Sequence, residues 1–172
     1  RELEQASLEL EKPKASEKGN YKKWLDLLLA PGSSLGGARP KANVVDKHGR
    51  LWIAKFPSRN DRRDVGAWQR LVHRLAEKAG LSLPQAHHLR LGGSPHHTFL
   101  SKKFDRDDRA RRRIFVSAIT LLQRKDGDED ASYLEIAEGL KAQGARPDDD
   151  RKELWRRIVF NISVSNTDDH LR

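Results

Sequence analysis

Three stretches of this 172-residue sequence carry side chains whose types and spacing could handle phosphate. The first is Asn166-Thr167-Asp168-Asp169-His170-Leu171-Arg172. There the Asp168 carboxylate could take the proton of an attacking hydroxyl, and Arg172, four positions on, could neutralise charge developing on a transferred phosphoryl group. His170 would orient the loop by hydrogen bonding. The second is Lys55, inside the apolar segment LWIAKF. Strand alternation puts Leu51, Ile53 and Lys55 on one face, and an ammonium pointing to a core side needs an anionic partner. The third is the stretch Gly32 to Gly37, with Ser33, Ser34, Leu35, Gly36 and Gly37, where backbone N–H groups could wrap phosphate oxygens. Lys41, just after it, offers a second phosphate contact. The competing readings are a polar helix tail for the first stretch and an edge lysine that snorkels to water for the second.

The elements around these groups narrow the chemistry. In Walker and Rossmann sites a glycine loop opens a helix. Here it precedes a hairpin, with strands predicted at Ala42 to Val45 and Leu51 to Phe56 and a turn at Asp46-Lys47-His48-Gly49. A flap between strands, followed by a lysine on the next strand, is the arrangement of protein kinases. Kinases hold that lysine with a glutamate on the next helix. The spacing predicts such a helix through Val65, Trp68, Leu71, Val72, Leu75 and Ala79, stopped at Gly80 and Pro84. The residue at the expected position is Gln69, which can share hydrogen bonds but carries no charge.

A second hairpin is predicted from AHHLRL and HHTFLSKKF around Gly92 to Pro95, and then helices alone: RRRIFVSAITLLQ, SYLEIAEGLKAQ and RKELWRRIVFNIS. Ser132 and Glu135 stand at capping-box spacing, and Leu154, Trp155, Ile158, Val159 and Ile162 form one stripe on the last helix. Strands and one long helix, followed by helices, make an α+β protein. The opening RELEQASLELEKPKASEKG is polar and broken by Pro13, and is expected to be a frayed helix and linker; KKWLDLLLA then predicts a short helix.

Lys and Arg number 34 against 25 Asp and Glu, a net charge of +9, which favours anionic partners. Cysteine is absent, excluding a disulfide framework or thiolate metal site and fitting a reducing cytoplasm. No run is long enough to span a bilayer. Methionine is absent too, and a chain opening on Arg1 is expected to be a piece of a longer product.

The ordered series SSLGGARPKA, WIAKF, the helix with Ala79-Gly80 and Pro84, KKFDR, SYLEIAEGL and FNISVSNTDDHLR resembles the HipA-type serine/threonine kinases, the toxins of bacterial toxin–antitoxin pairs. The likeness runs from about Lys22 to the end. It implies a protein-kinase-like fold: a polar segment over 1–18, a strand-rich N-lobe with flap and hinge over 19–105, and the first helices of a C-lobe over 106–172. It implies ATP and Mg²⁺ as cofactors, phosphorylation of a protein hydroxyl, and a DNA-binding antitoxin of the HipB type as partner, with DNA reached through that complex. Residue by residue, Lys55 matches the ATP-phosphate lysine and Ser34 the flap serine that such kinases phosphorylate on themselves. Phe104 falls on the segment whose backbone reads the adenine, followed by Asp105 and Arg106. Asp168 matches the catalytic base, and Arg172 a cation that is usually lysine. The family's two magnesium-binding groups, an asparagine one position past Arg172 and a later aspartate, are not in this sequence. The sequence by itself is therefore expected to hold nucleotide without metal and to be inactive.

Two further clusters were weighed. The pairs His87-His88 and His96-His97 could face one another across a hairpin, but adjacent strand histidines point to opposite faces, and strand packing is the plainer reading. The run Arg106 to Arg113 could touch a phosphate backbone, or be a solvated helix start. The alternatives to an enzyme are a non-catalytic kinase-like binding module, with Gln69 as the mark of lost activity, and a basic nucleic-acid-binding domain.

Overall fold

The computed structural model describes residues 1–14, 16, 19–20, 22–23, 39–91, 94–109, 111–125, 127, 131–169 and 171. The helix expected from KKWLDLLLA lies almost wholly outside these, as does the glycine-rich flap. The chain divides into two compact units: Arg1–Arg74 with Pro84–Arg113, and Leu75–Leu83 with Ile114–Arg172. Strands occur in the first, while the second is helical. The α+β expectation holds at this level.

The first unit is built on an antiparallel sheet in the order β1-β2-β4-β3, with β1 Lys41–Val45, β2 Leu51–Lys55, β3 Ala86–Leu89 and β4 Thr98–Lys102. Both predicted hairpins form. Asp46 closes the first turn: its carboxylate accepts from the N–H groups of His48 and Arg50, from the Arg50 guanidinium and from the Trp52 indole, while Gly49 takes a positive φ of 76°. Burial alone would raise the Asp46 pKa, but these donors outweigh it and hold the carboxyl below its usual range.

The buried face of the sheet carries Ala42, Trp52 and Ala54, with Phe56 following β2, and Leu3, Val44 and Leu100 pack around them. Leu3 belongs to α1, Glu2–Leu10, which corrects the expectation of a frayed opening segment. Its small and apolar residues Leu3, Ala6, Ser7 and Leu10 recur at helical spacing. Ala6 and Ser7 are fully buried, and buried Glu4 accepts a 2.9 Å hydrogen bond from the buried Thr98 hydroxyl. Glu11 continues the attachment by accepting from Ser58 Oγ and the Arg59 N–H. The expected helix is present, but a glutamate-rich composition hid its attachment, because the glutamates that lower the mean hydropathy include the ones that bind it to the sheet region.

The opposite face of the sheet receives α2, Val65–Lys78, through His73, whose ring lies 6.2 Å from that of Phe99 and whose Nε2 contacts the Pro84 carbonyl. Here the sequence expectation is corrected again. The apolar stripe Trp68, Leu71 and Leu75 is exposed, and the buried positions of the helix are Gly66 and Ala76. Gly66 is needed for a close approach: a Cβ there would stand 1.9 Å from the His97 carbonyl oxygen.

In the second unit α3, Ala118–Leu121, is far shorter than the helix expected from RRRIFVSAITLLQ. Arg111 to Arg113 instead pair back onto Asp105 to Asp107, and helix begins only where Ser117 Oγ caps the Thr120 N–H. Helix α4, Tyr133–Gln143, is capped by Ser132 as predicted, although the Glu135 carboxylate pairs with Arg124. Helix α5, Pro147–Ser163, begins with Pro147 in its first turn and Asp148, Asp149 and Asp150 at its positive end. Its predicted stripe divides: Leu154 and Ile158 are half-buried, while Trp155, Val159 and Ile162 are exposed. The segment Leu75–Leu83 docks on α5 through Ser82, whose N–H donates to Glu153 and whose carbonyl accepts from Arg157.

Candidate phosphate-handling site

Lys55 is half-buried on β2, on the face it shares with Leu51 and Ile53, as alternation requires. That is not the main core face, which lies on the other side with Trp52 and Ala54; the expectation that Lys55 points into the core is corrected to a half-buried position on the opposite face of the sheet. Its Nζ lies 5.9 Å from the centroid of the buried Phe99 ring, within cation–π reach. Directly across the β1–β2 ladder stands Lys41. Opposed residues in an antiparallel pair share a face, so the two predicted phosphate contacts come from one patch of sheet.

The chain entering β1 is tied down. Arg39 makes a two-bond contact with Asp61, at 3.0 and 2.6 Å, and the Pro40 carbonyl accepts from the Phe56 N–H. Burial would raise the Asp61 pKa, but the Arg39 guanidinium and the Ser58 N–H outweigh it and lower it. Ser33, Ser34, Leu35, Gly36 and Gly37 lie outside the described residues.

Gln69 is one turn before His73 on α2, hence on the sheet-facing side of the helix. Its Oε1 is buried and accepts no hydrogen bond among the described residues. The expectation that Gln69 holds Lys55 is therefore corrected: no hydrogen bond joins them. Phe104 follows β4 in a turn and is 59% exposed, while Asp105 beside it pairs with Lys103 and Arg106. The Lys103 N–H donates to the Leu51 carbonyl, fixing where this segment leaves the sheet.

In the second unit the tail after α5 turns through Ser165, which adopts a positive φ of 53°, and the Asn166 N–H returns to the Asn161 carbonyl. Asp168 is exposed, with its N–H donating to Asn166 Oδ1 at 3.2 Å, and no partner bonds its carboxylate among the described residues. Asp169 differs: its Oδ2 accepts from Asn161 Nδ2 at 2.6 Å and from the Tyr133 hydroxyl. The Leu171 carbonyl accepts from the Ile119 N–H, which completes the tether. Of two adjacent aspartates, Asp169 is an anchor and Asp168 has no carboxylate partner among the described residues. His170 and Arg172 lie outside the described residues.

One cluster went unread in the sequence. Asp64 accepts three N–H groups: Ala67 at the start of α2, the His97 backbone, and His97 Nδ1 at 2.5 Å. Burial would raise its pKa, but these donors outweigh it and hold it at about 2. His97 also meets His88 edge-to-face at 4.7 Å. Burial, together with the charges of His97 and Arg70, lowers the His88 pKa. The signal was an N-cap aspartate before Ala67, three residues into the helix turn, where an oxygen acceptor is favoured. Among the described residues no group of three or more His, Cys, Asp or Glu side chains could hold a metal ion, and no helix is long and apolar enough to cross a membrane.

The HipA-like C-terminal domain family matches residues 33–172, which spans flap, sheet, α2 and the tail. The chain belongs to the HipA-like C-terminal domain family. No curated protein matches it. In this HipA-like chain the match takes in every predicted site residue from Ser33 to Arg172, and leaves α1 outside.

Proposed function

We propose that this HipA-like chain carries the nucleotide-binding and hydroxyl-activating parts of an ATP-dependent serine/threonine protein kinase. The observation that carries the reading is the Lys41–Lys55 pair, two cations directly opposed on a half-buried strand face just after a glycine-rich stretch. Because the two residues share one strand face, a triphosphate laid against it would meet both cations at once. ATP would be held at its phosphates by Lys41 and Lys55, with the flap residues Ser33 to Gly37 above and the segment at Phe104 beside the adenine. When bound it supplies the transferable phosphoryl group, with Mg²⁺ neutralising phosphate charge.

The chain's own residues then do three things. Lys41 and Lys55 orient the phosphates. Asp168, whose carboxylate has no partner among the described residues, accepts the proton of the attacking serine or threonine hydroxyl. Asp169, held by Tyr133 and Asn161, fixes the loop that presents Asp168. Arg172 and His170 complete that loop in this reading, and Ser34 is the site of self-modification. A cytoplasmic location, a protein substrate and a HipB-like DNA-binding antitoxin follow from the same proposal. Among the described residues no group of three or more His, Cys, Asp or Glu side chains could hold the ion.

The test, made on the chain extended beyond Arg172 so as to supply the magnesium-binding groups, is transfer of label from γ-labelled ATP to the chain and to added protein, followed by mapping of the modified residue. Label on Ser34 that disappears in Asp168→Asn supports the reading; equal labelling of both proteins contradicts it.

A further inference from the structure

We propose that the loop at 105–113 binds the phosphodiester backbone of a nucleic acid through Arg109, Arg112 and Arg113. Between positions 102 and 113 seven basic residues stand against three aspartates. The loop is a closed structure: Arg106 and Arg112 form an antiparallel bridge, the Asp107 N–H reaches the Arg111 carbonyl, and the Arg113 N–H reaches the Asp105 carbonyl.

All three aspartates are spent inside it. Asp105 pairs with Lys103 at 3.5 Å and Arg106 at 2.6 Å. Asp107 accepts from the N–H groups of Arg109 and Arg111 and from Arg111 Nε at 2.7 Å. Asp108 pairs with Lys102. Arg109, Arg112 and Arg113 are exposed, and no carboxylate pairs with them among the described residues.

Arg112 stands directly opposite Arg106, whose own charge is met by Asp105 at 2.6 Å, so that Asp105 is not available to Arg112. The surface is exposed rather than a pocket, so a small anion would meet few donors at once, whereas a polymer of phosphates can meet several together. One exposed ring, Phe104, lies beside the loop and none within 105–113, so the three arginines would meet phosphates rather than form a platform for stacked bases. This surface is independent of the kinase reading.

The experiment is fluorescence anisotropy with short mixed-sequence duplex DNA and single-stranded RNA, titrated between about 50 and 200 mM salt. Three proteins are compared: the chain, Arg109→Gln/Arg112→Gln/Arg113→Gln, and a control of equal charge change on exposed helices, Lys141→Gln/Lys152→Gln/Arg156→Gln. The loop variant is expected to lose at least tenfold in affinity, and about 0.9 in log–log salt slope on duplex per phosphate contact removed. The control keeps its slope. Arg112→Gln alone, which breaks no ion pair among the described residues, is expected to melt with the parent while still losing affinity, so that a fold defect cannot imitate the result. The proposal is overturned by equal slopes for parent and loop variant, by an equal loss in the control, or by a preference for polyglutamate over nucleic acid.

Discussion

Lys41 and Lys55 stand directly opposite one another across the β1–β2 ladder, so two residues fourteen apart in sequence put their ammonium groups on one strand face. Replacing Lys41 with Gln is expected to reduce the stabilisation given by added triphosphate. A thermal melt with and without tripolyphosphate checks this.

Asp64 joins the start of α2 to the residue before β4 through three accepted N–H bonds. Its folded pKa, about 2, lies below the ordinary carboxylate value of about 3.9. Its contribution is therefore fully present above about pH 4 and is lost as pH falls through about 2. Asp64→Asn is expected to flatten this acid limb, and Asp64→Ala to cost about 0.5–2 kcal/mol at neutral pH through the lost cap. Denaturant melts from neutral pH downward read both effects.

Gly66→Ala would place a methyl 1.9 Å from a backbone oxygen, which no rotamer can relieve. The α2 start must shift away from His97, at about 1–3 kcal/mol. Gly80→Ala, where space is open but φ is +77°, tests strain without contact and is expected to cost less.

Thr98→Val removes the donor to buried Glu4 and keeps the shape of the side chain. The carboxylate left behind is expected to cost about 1–3 kcal/mol. Deleting residues 1–12 uncovers Ala42, Ala54 and Phe56 and should lower the melting temperature further than Thr98→Val. An unchanged melt would return the opening segment to the status of a linker.

The two hairpins were legible because alternation and turn residues act locally: Asp46 to Gly49 specify the first turn by their own hydrogen bonds. Glu4 and Thr98 were not, since their bond spans 94 positions and looks polar from either end. Trp68, Leu71 and Leu75 announced a helix correctly and its buried side wrongly, because Gly66 and His73 set the approach to the sheet by fit rather than by hydropathy. Asp168 and Asp169 read alike as letters. Only the positions of Tyr133 and Asn161 show that the Asp169 carboxylate is the bonded one among the described residues.

The phosphate site is tested most directly by calorimetric titration of the chain with ATP, for the parent and for Lys55→Ala. Saturable one-to-one binding that Lys55→Ala weakens at least tenfold is the predicted result. Identical heats for the two proteins, whether from equal binding or from none, would contradict it.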